Sequence, residues 1–106
     1  MRMLAEYKNL QLKVNEDLKQ LELNIDGYAA FIKYKVSGDR LFLIHTEAPI
    51  ELQGKGAGSA VVEKAMEYAG DKGYKIVPLC PFVRAYLKRH PEWNDLIDEN
   101  AARFIN

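Results

Sequence analysis

Gln53-Gly54-Lys55-Gly56-Ala57-Gly58-Ser59 separates two stretches of chain built on different periods. Beyond it, Val61, Val62, Ala65, Met66 and Ala69 recur at helical spacing, with Glu63, Lys64, Glu67 and Asp71 assigned to the opposite side. Glycines let a backbone approach a ligand closely and turn successive N–H groups toward one point. A helix starting behind them adds partial positive charge. Such a loop suits a phosphate or pyrophosphate; a glycine-rich turn holding nothing is the alternative. Two nucleotide signatures do not fit. A Walker loop puts Ser or Thr directly after its lysine, where this chain has Gly56. A dinucleotide fingerprint would need glycine where Ser59 stands and would open a βαβ unit.

Upstream of the loop the chain reads as strands and turns. Leu10-Gln11-Leu12-Lys13-Val14 alternates apolar and polar residues, and Leu21, Leu23 and Ile25 repeat the pattern. Asp26-Gly27 marks a tight hairpin, since a type I′ turn needs positive φ. Tyr28 to Val36 makes the return strand, Ser37-Gly38-Asp39 the next turn, and Arg40 to Glu47 a fourth strand ended by Pro49. Downstream, Gly73 stands at a helix C-cap, Tyr74 to Leu79 forms a fifth strand, and Pro81 opens a helix carrying Phe82, Val83, Tyr86 and Leu87. Pro91 interrupts it, and Glu92 to Phe104 reads as a last helical piece. The expected order is β-β-β-β-α-β-α: an α+β fold, one domain over residues 1–106, with a mostly antiparallel sheet.

Composition narrows the function classes. Fifteen basic and fifteen acidic residues give zero formal net charge, which argues against a nucleic-acid partner, although Arg84, Lys88, Arg89 and His90 make a local basic patch. No apolar run reaches the roughly 20 residues of a membrane span. Met1-Arg2-Met3-Leu4-Ala5-Glu6 puts an acid where a secretory signal has its apolar run, and Cys80 is the single cysteine. A cytoplasmic protein without membrane contact or metal is expected.

Gln53, Gly56 and Gly58 fall on the Gln/Arg-x-x-Gly-x-Gly/Ala pattern of the GNAT superfamily of N-acetyltransferases, which the loop resembles, and Pro49 falls where that family often has a proline after its fourth strand. Asp26-Gly27, His45-Thr46-Glu47, the glycine loop and Pro78-Leu79-Cys80-Pro81-Phe82-Val83 together resemble a compact GNAT-like family, the small YjdJ-type acetyltransferases, over almost the whole chain. The resemblance implies acetyl-CoA as cofactor, fourth and fifth strands splayed around it, and an acetyltransferase acting on a primary amine of a small molecule or a protein lysine. It places the coenzyme A pyrophosphate on the N–H groups of Gly54, Lys55, Gly56, Ala57, Gly58 and Ser59, with Gln53 also at the cofactor, and the pantetheine arm along Thr46, Glu47 and Ala48. Ordinary domains of this kind carry helices between their first two strands. Val14 to Leu21 leaves room only for a turn, so the acceptor is unspecified, and a non-catalytic acyl-CoA-binding module is the alternative.

Four side chains are candidates for the chemistry. Cys80 ends the fifth strand just before a helix, a location that lowers a thiol pKa; it is a nucleophile, a lining residue beside the thioester, or a small apolar core residue. Tyr86 resembles the GNAT tyrosine that protonates the departing thiolate and contacts the cofactor, although His90 and Pro91 replace the Gly-Phe that follows it in that family; otherwise it is a core aromatic. His45 and Glu47 lie two apart on one strand and share a face, with Thr46 on the other. They form either a base pair for an incoming amine or a surface ion pair. His90 reads as a helix C-terminal residue, and Glu92, Asp95, Asp98 and Glu99 as a solvated face.

Overall fold

The computed structural model describes residues 7–103. The strands are β1 (Lys13–Asn15), β2 (Gln20–Ile25), β3 (Tyr28–Ser37), β4 (Arg40–Glu47) and β5 (Lys75–Pro78); the helices are α1 (Ala57–Lys72), α2 (Pro81–Arg89) and α3 (Glu99–Ala102). One sheet holds the strands in sequence order, antiparallel from β1 through β4 and parallel between β4 and β5. The α+β expectation therefore holds. Asp26 (φ 53) and Gly27 (φ 85) both take the left-handed conformation a type I′ hairpin demands.

β1 is shorter than the alternation predicts. Residues 7–12 leave the sheet and cross α1, where the Lys64 ammonium donates to the Lys8 carbonyl at 2.7 Å and the Tyr7 hydroxyl to the Lys55 carbonyl at 3.0 Å. Leu10 and Leu12 still pack against the core, so their apolar spacing was real but served a helix face rather than a strand partner. Lys64 is consequently buried, although its position in the helical pattern assigns it to the solvent side.

The core lies between one sheet face and α1. Ala60, Val61, Val62, Ala65, Met66 and Ala69 of α1 meet Leu21, Leu23, Ile32, Leu41 and Leu43, all without exposed surface. α1 ends at Gly73 (φ 77), whose N–H bonds back to the carbonyls of Ala69 and Gly70.

β4 contains a bulge. Lys33 pairs with His45 and Tyr34 with Leu43, so Ile44 is an extra residue that inverts the inward–outward order along the strand. Leu41, Leu43 and Thr46 consequently share the core face with Ile32 and Tyr34. Phe42, His45 and Glu47 share the open face with Lys35, Lys33 and Phe31.

The C-terminal segment is not the single helical piece that Glu92 to Phe104 suggests. Pro91–Leu96 forms a 3-10 turn, Ile97 (φ −79, ψ 133) is extended and bridges Ile76 in parallel, and Asp98 accepts from the Asn100 N–H to start the one-turn α3. The exposed far edge of β5 competes for this backbone and takes it: the Asp98 N–H bonds to the Ile76 carbonyl at 2.9 Å. Phe104 and Met1–Glu6 lie outside the described residues.

Candidate functional site

After β4 the chain makes a 3-10 turn at Ile50–Leu52, closed by Leu52 N–H to Pro49, Gln53 N–H to Ile50 and Lys55 N–H to Leu52. Gly54 (φ 79) and Gly56 (φ 71) are both left-handed, which a residue with a Cβ adopts only under strain. Gly56 is the N-cap of α1 and no side chain caps the helix. The first intrahelical bond runs from Ala60 N–H to Gly56 C=O at 3.0 Å. The N–H groups of Ala57, Gly58 and Ser59 therefore have no carbonyl within the helix, at the positive end of a 16-residue dipole.

A cleft of about 560 Å³ opens over this terminus, within the usual range for small-ligand sites. Ala48, Gln53, Gly54, Gly56, Ala57, Gly58 and Ser59 of the expected set line it, together with Ile50, Leu52 and Phe82. Phe82 was missed because an aromatic at the second position of a helix carries no ligand signal by itself. The reason it reaches the cleft is visible at Gly58. A Cβ there would sit 2.9 Å from Phe82 Cζ, so glycine lets the Phe82 ring lie directly against α1.

Lys55 behaves differently from its neighbours. Its ammonium pairs with Asp26 at 3.0 Å, its carbonyl accepts the Tyr7 hydroxyl, and its N–H is committed to Leu52. It braces the loop against the β2–β3 hairpin and does not line the cleft.

The second half of the site lies where β5 ends and β4 runs on. β5 pairs only with Arg40–Leu43 of β4. The Leu43 carbonyl then accepts both the Leu79 N–H (2.9 Å) and the Cys80 N–H (3.0 Å), and Pro81 turns the chain into α2. His45 to Glu47 is thus paired with β3 alone, and the bulged Ile44 with neither neighbour. On the core face, Thr46 Oγ1 lies 3.4 Å from Cys80 Sγ. Cys80 is the N-cap of α2 and is 3% exposed. Burial pushes its thiol pKa up, but the Thr46 hydroxyl and the N–H groups of Val83, Phe82 and Thr46 outweigh burial and hold it below its ordinary value. No hydrogen bond caps the helix from the neutral side chain; these N–H groups favour the ionised sulfur. A folded-state value below the unfolded one adds stability that is present above the unfolded pKa and lost as pH falls through the folded one. Thiolate ultraviolet absorbance is expected to rise at lower pH in the folded protein than in the urea-unfolded chain. A coincident or later rise would contradict the arrangement.

On the open face, His45 Nε2 lies 3.2 Å from Glu47 Oε1, and both side chains are largely exposed. The structure therefore joins the two as their spacing implies, and separates them from Thr46 and Cys80 by the thickness of the sheet.

Tyr86 lies elsewhere. It is 1% exposed, its ring stacks on His90 with centroids 4.1 Å apart, and its hydroxyl donates to Glu63 of α1 at 3.3 Å. Burial first, then the Trp93 indole lowering it and the Glu63 charge raising it, leave its pKa well above the phenol range. It is absent from the cleft lining, as are Thr46, Glu47 and Cys80 of the expected set. His90 closes α2 by donating its N–H to Leu87, and its Nδ1 lies 3.3 Å from Glu92.

No helix among the described residues is long and apolar enough to cross a membrane. No curated protein matches the chain. The model of the family described as GCN5-related N-acetyl-transferase matches residues 20–96, from the start of β2 through the 3-10 turn after α2. That span holds the bulged β4, the glycine loop, the uncapped α1 terminus and Cys80, and with it the chain belongs to the GCN5-related N-acetyltransferase family.

Proposed function

We propose that the protein transfers acetyl from acetyl-CoA to a primary amine, with donor and acceptor meeting at the bulged end of β4 from opposite faces of the sheet. The observation that carries this reading is the uncapped α1 N-terminus facing a cleft that runs from the glycine loop to Ala48 and Phe82. The N–H groups of Ala57, Gly58 and Ser59 hold the pyrophosphate. The backbone from Thr46 to Ala48, at and just past the end of β4, has no strand on its β5 side and takes the pantetheine amides. Acetyl-CoA supplies the thioester. His45 and Glu47 stand on the open face, where an ammonium can approach from water. Their pair accepts the proton that frees the amine to form the new C–N bond as the C–S bond breaks. Cys80, on the core face beside Thr46, is a thiol of raised acidity and suited to hand a proton to the departing thiolate.

Two measurements test this reading. Acetyl-CoA at a hundredfold excess over its Kd is expected to raise unfolding stability by about 2.7 kcal/mol, with ATP giving far less. Glu47→Gln with His45→Ala is expected to cut amine acetylation by about a hundredfold while leaving acetyl-CoA affinity within a few-fold. Equal protection by ATP would reduce the cleft to a general phosphate site. Protection without turnover on any amine would establish the non-catalytic acyl-CoA-binding module.

A further inference from the structure

A second cavity of about 220 Å³ lies on the open face of the sheet, and it shares no residue with the cleft at the glycine loop. Phe42 and Val77, cross-strand partners, and Leu79, half exposed, give it an apolar floor. Arg40 and Asp98 close one side as an ion pair at 3.2 Å. Arg84, on the first turns of α2, lines the cavity as well. Among the described residues its guanidinium has no ion pair or side-chain hydrogen bond. A half-buried arginine lining an apolar trough, its fork unmatched among the described residues, is a receptor for a carboxylate.

The trough lies beside the proposed acceptor position. The Ile44 bulge brings Phe42 onto the same face as His45 and Glu47, which strict alternation would have forbidden. Three strand positions separate Phe42 from His45, about 10 Å at most along the strand. Leu79 of the trough precedes Cys80 directly and shares its acceptor, the Leu43 carbonyl.

We propose that this cavity is the acceptor subsite and that Arg84 selects amines carrying a carboxylate at the far end of an apolar spacer. The proposal rests on the acetyl-transfer reading for the position of the amine, but the cavity and its free guanidinium do not depend on it. The chemistry suits an ω-amino acid or the side-chain amine of free lysine, with the carboxylate on Arg84, the methylenes over Phe42 and Val77, and the amine directed toward His45–Glu47.

The test uses ε-aminocaproate, its carboxamide and hexylamine, three amines with one spacer and different ends. Wild-type protein is expected to favour ε-aminocaproate by about tenfold or more in kcat/KM. Arg84→Ala should collapse that preference while leaving hexylamine turnover and acetyl-CoA affinity unchanged, and Arg84→Lys should restore part of it. A preference that survives in Arg84→Ala, or no preference in wild type, overturns the assignment. If no amine is turned over, the acetyl-transfer reading has failed on its own and binding decides the subsite. Tighter binding of ε-aminocaproate than of hexylamine, lost in Arg84→Ala, supports it; equal binding ends it.

Discussion

Gly56→Asp is expected to weaken acetyl-CoA binding by tenfold or more, about 1.4 kcal/mol, in a protein that remains folded. A Cβ at Gly56 would meet nothing within 4 Å, so the substitution brings no clash. Its φ of 71 costs an L-residue roughly 1–2 kcal/mol, at the lower end for aspartate, which tolerates this region. Against that cost, a carboxylate beside the first turn of α1 meets the positive end of the dipole. The helix is thereby stabilised by the same field that would hold a pyrophosphate, and the two negative groups repel each other. Gly56→Ala carries the backbone strain without the charge and should lose much less affinity. Titration calorimetry on the three proteins, with melting curves beside it, separates the contributions. An unchanged Kd in folded Gly56→Asp would remove the pyrophosphate from this loop.

Tyr86→Ala is expected to destabilise the protein by about 3–5 kcal/mol, the range for deleting a fully buried aromatic ring. The ring is 1% exposed and stacked on His90, and its hydroxyl joins α2 to Glu63 of α1. Small domains have only about 5–15 kcal/mol in total, so chemical denaturation should register this loss as a large shift in midpoint. Tyr86→Phe keeps the ring and removes one hydrogen bond, at a cost of about 1 kcal/mol. Acetyl transfer should then stay within a few-fold of wild type, because the hydroxyl is engaged with Glu63. A Tyr86→Phe protein of ordinary stability that lost a hundredfold in kcat would return this hydroxyl to the chemistry.

What could be read from the sequence was whatever depends on neighbours close in the chain. The Asp26-Gly27 hairpin, the Gly73 cap and the α1 core face from Val61 to Ala69 are all local patterns, and each stands as expected, while the glycine loop is shorter than read because α1 already begins at Ala57. The readings that failed concern competition between distant segments. Leu10 to Val14 has strand alternation, yet Lys64 draws the Lys8 carbonyl over α1 and only Lys13–Asn15 pairs. Glu92 to Phe104 has helical composition, yet the open edge of β5 recruits Ile97 and Asp98. The bulge at Ile44 has no glycine or other signal in Leu43-Ile44-His45, so periodicity set the relation of His45 to Glu47 but could not set either against Leu41 and Leu43. Tyr86 lies on α2 as its place in the sequence implies, and the bond from its hydroxyl to a glutamate twenty-three residues away is another contact that local pattern does not reveal.

The parallel pairing of β4 with β5 has a kinetic consequence. β2, β3 and β4 are joined by two tight turns and can zip together from contacts close in sequence. The β4–β5 ladder closes a loop containing all of α1, so its chain entropy must be given up before any of its hydrogen bonds form. The double acceptor at Leu43 and the Thr46–Cys80 contact exist only after that closure. The meander is therefore the early part of the molecule, and the seam between β4 and α2 the late one. A ligand held along that seam would lie across the last joint to assemble, and would slow its opening.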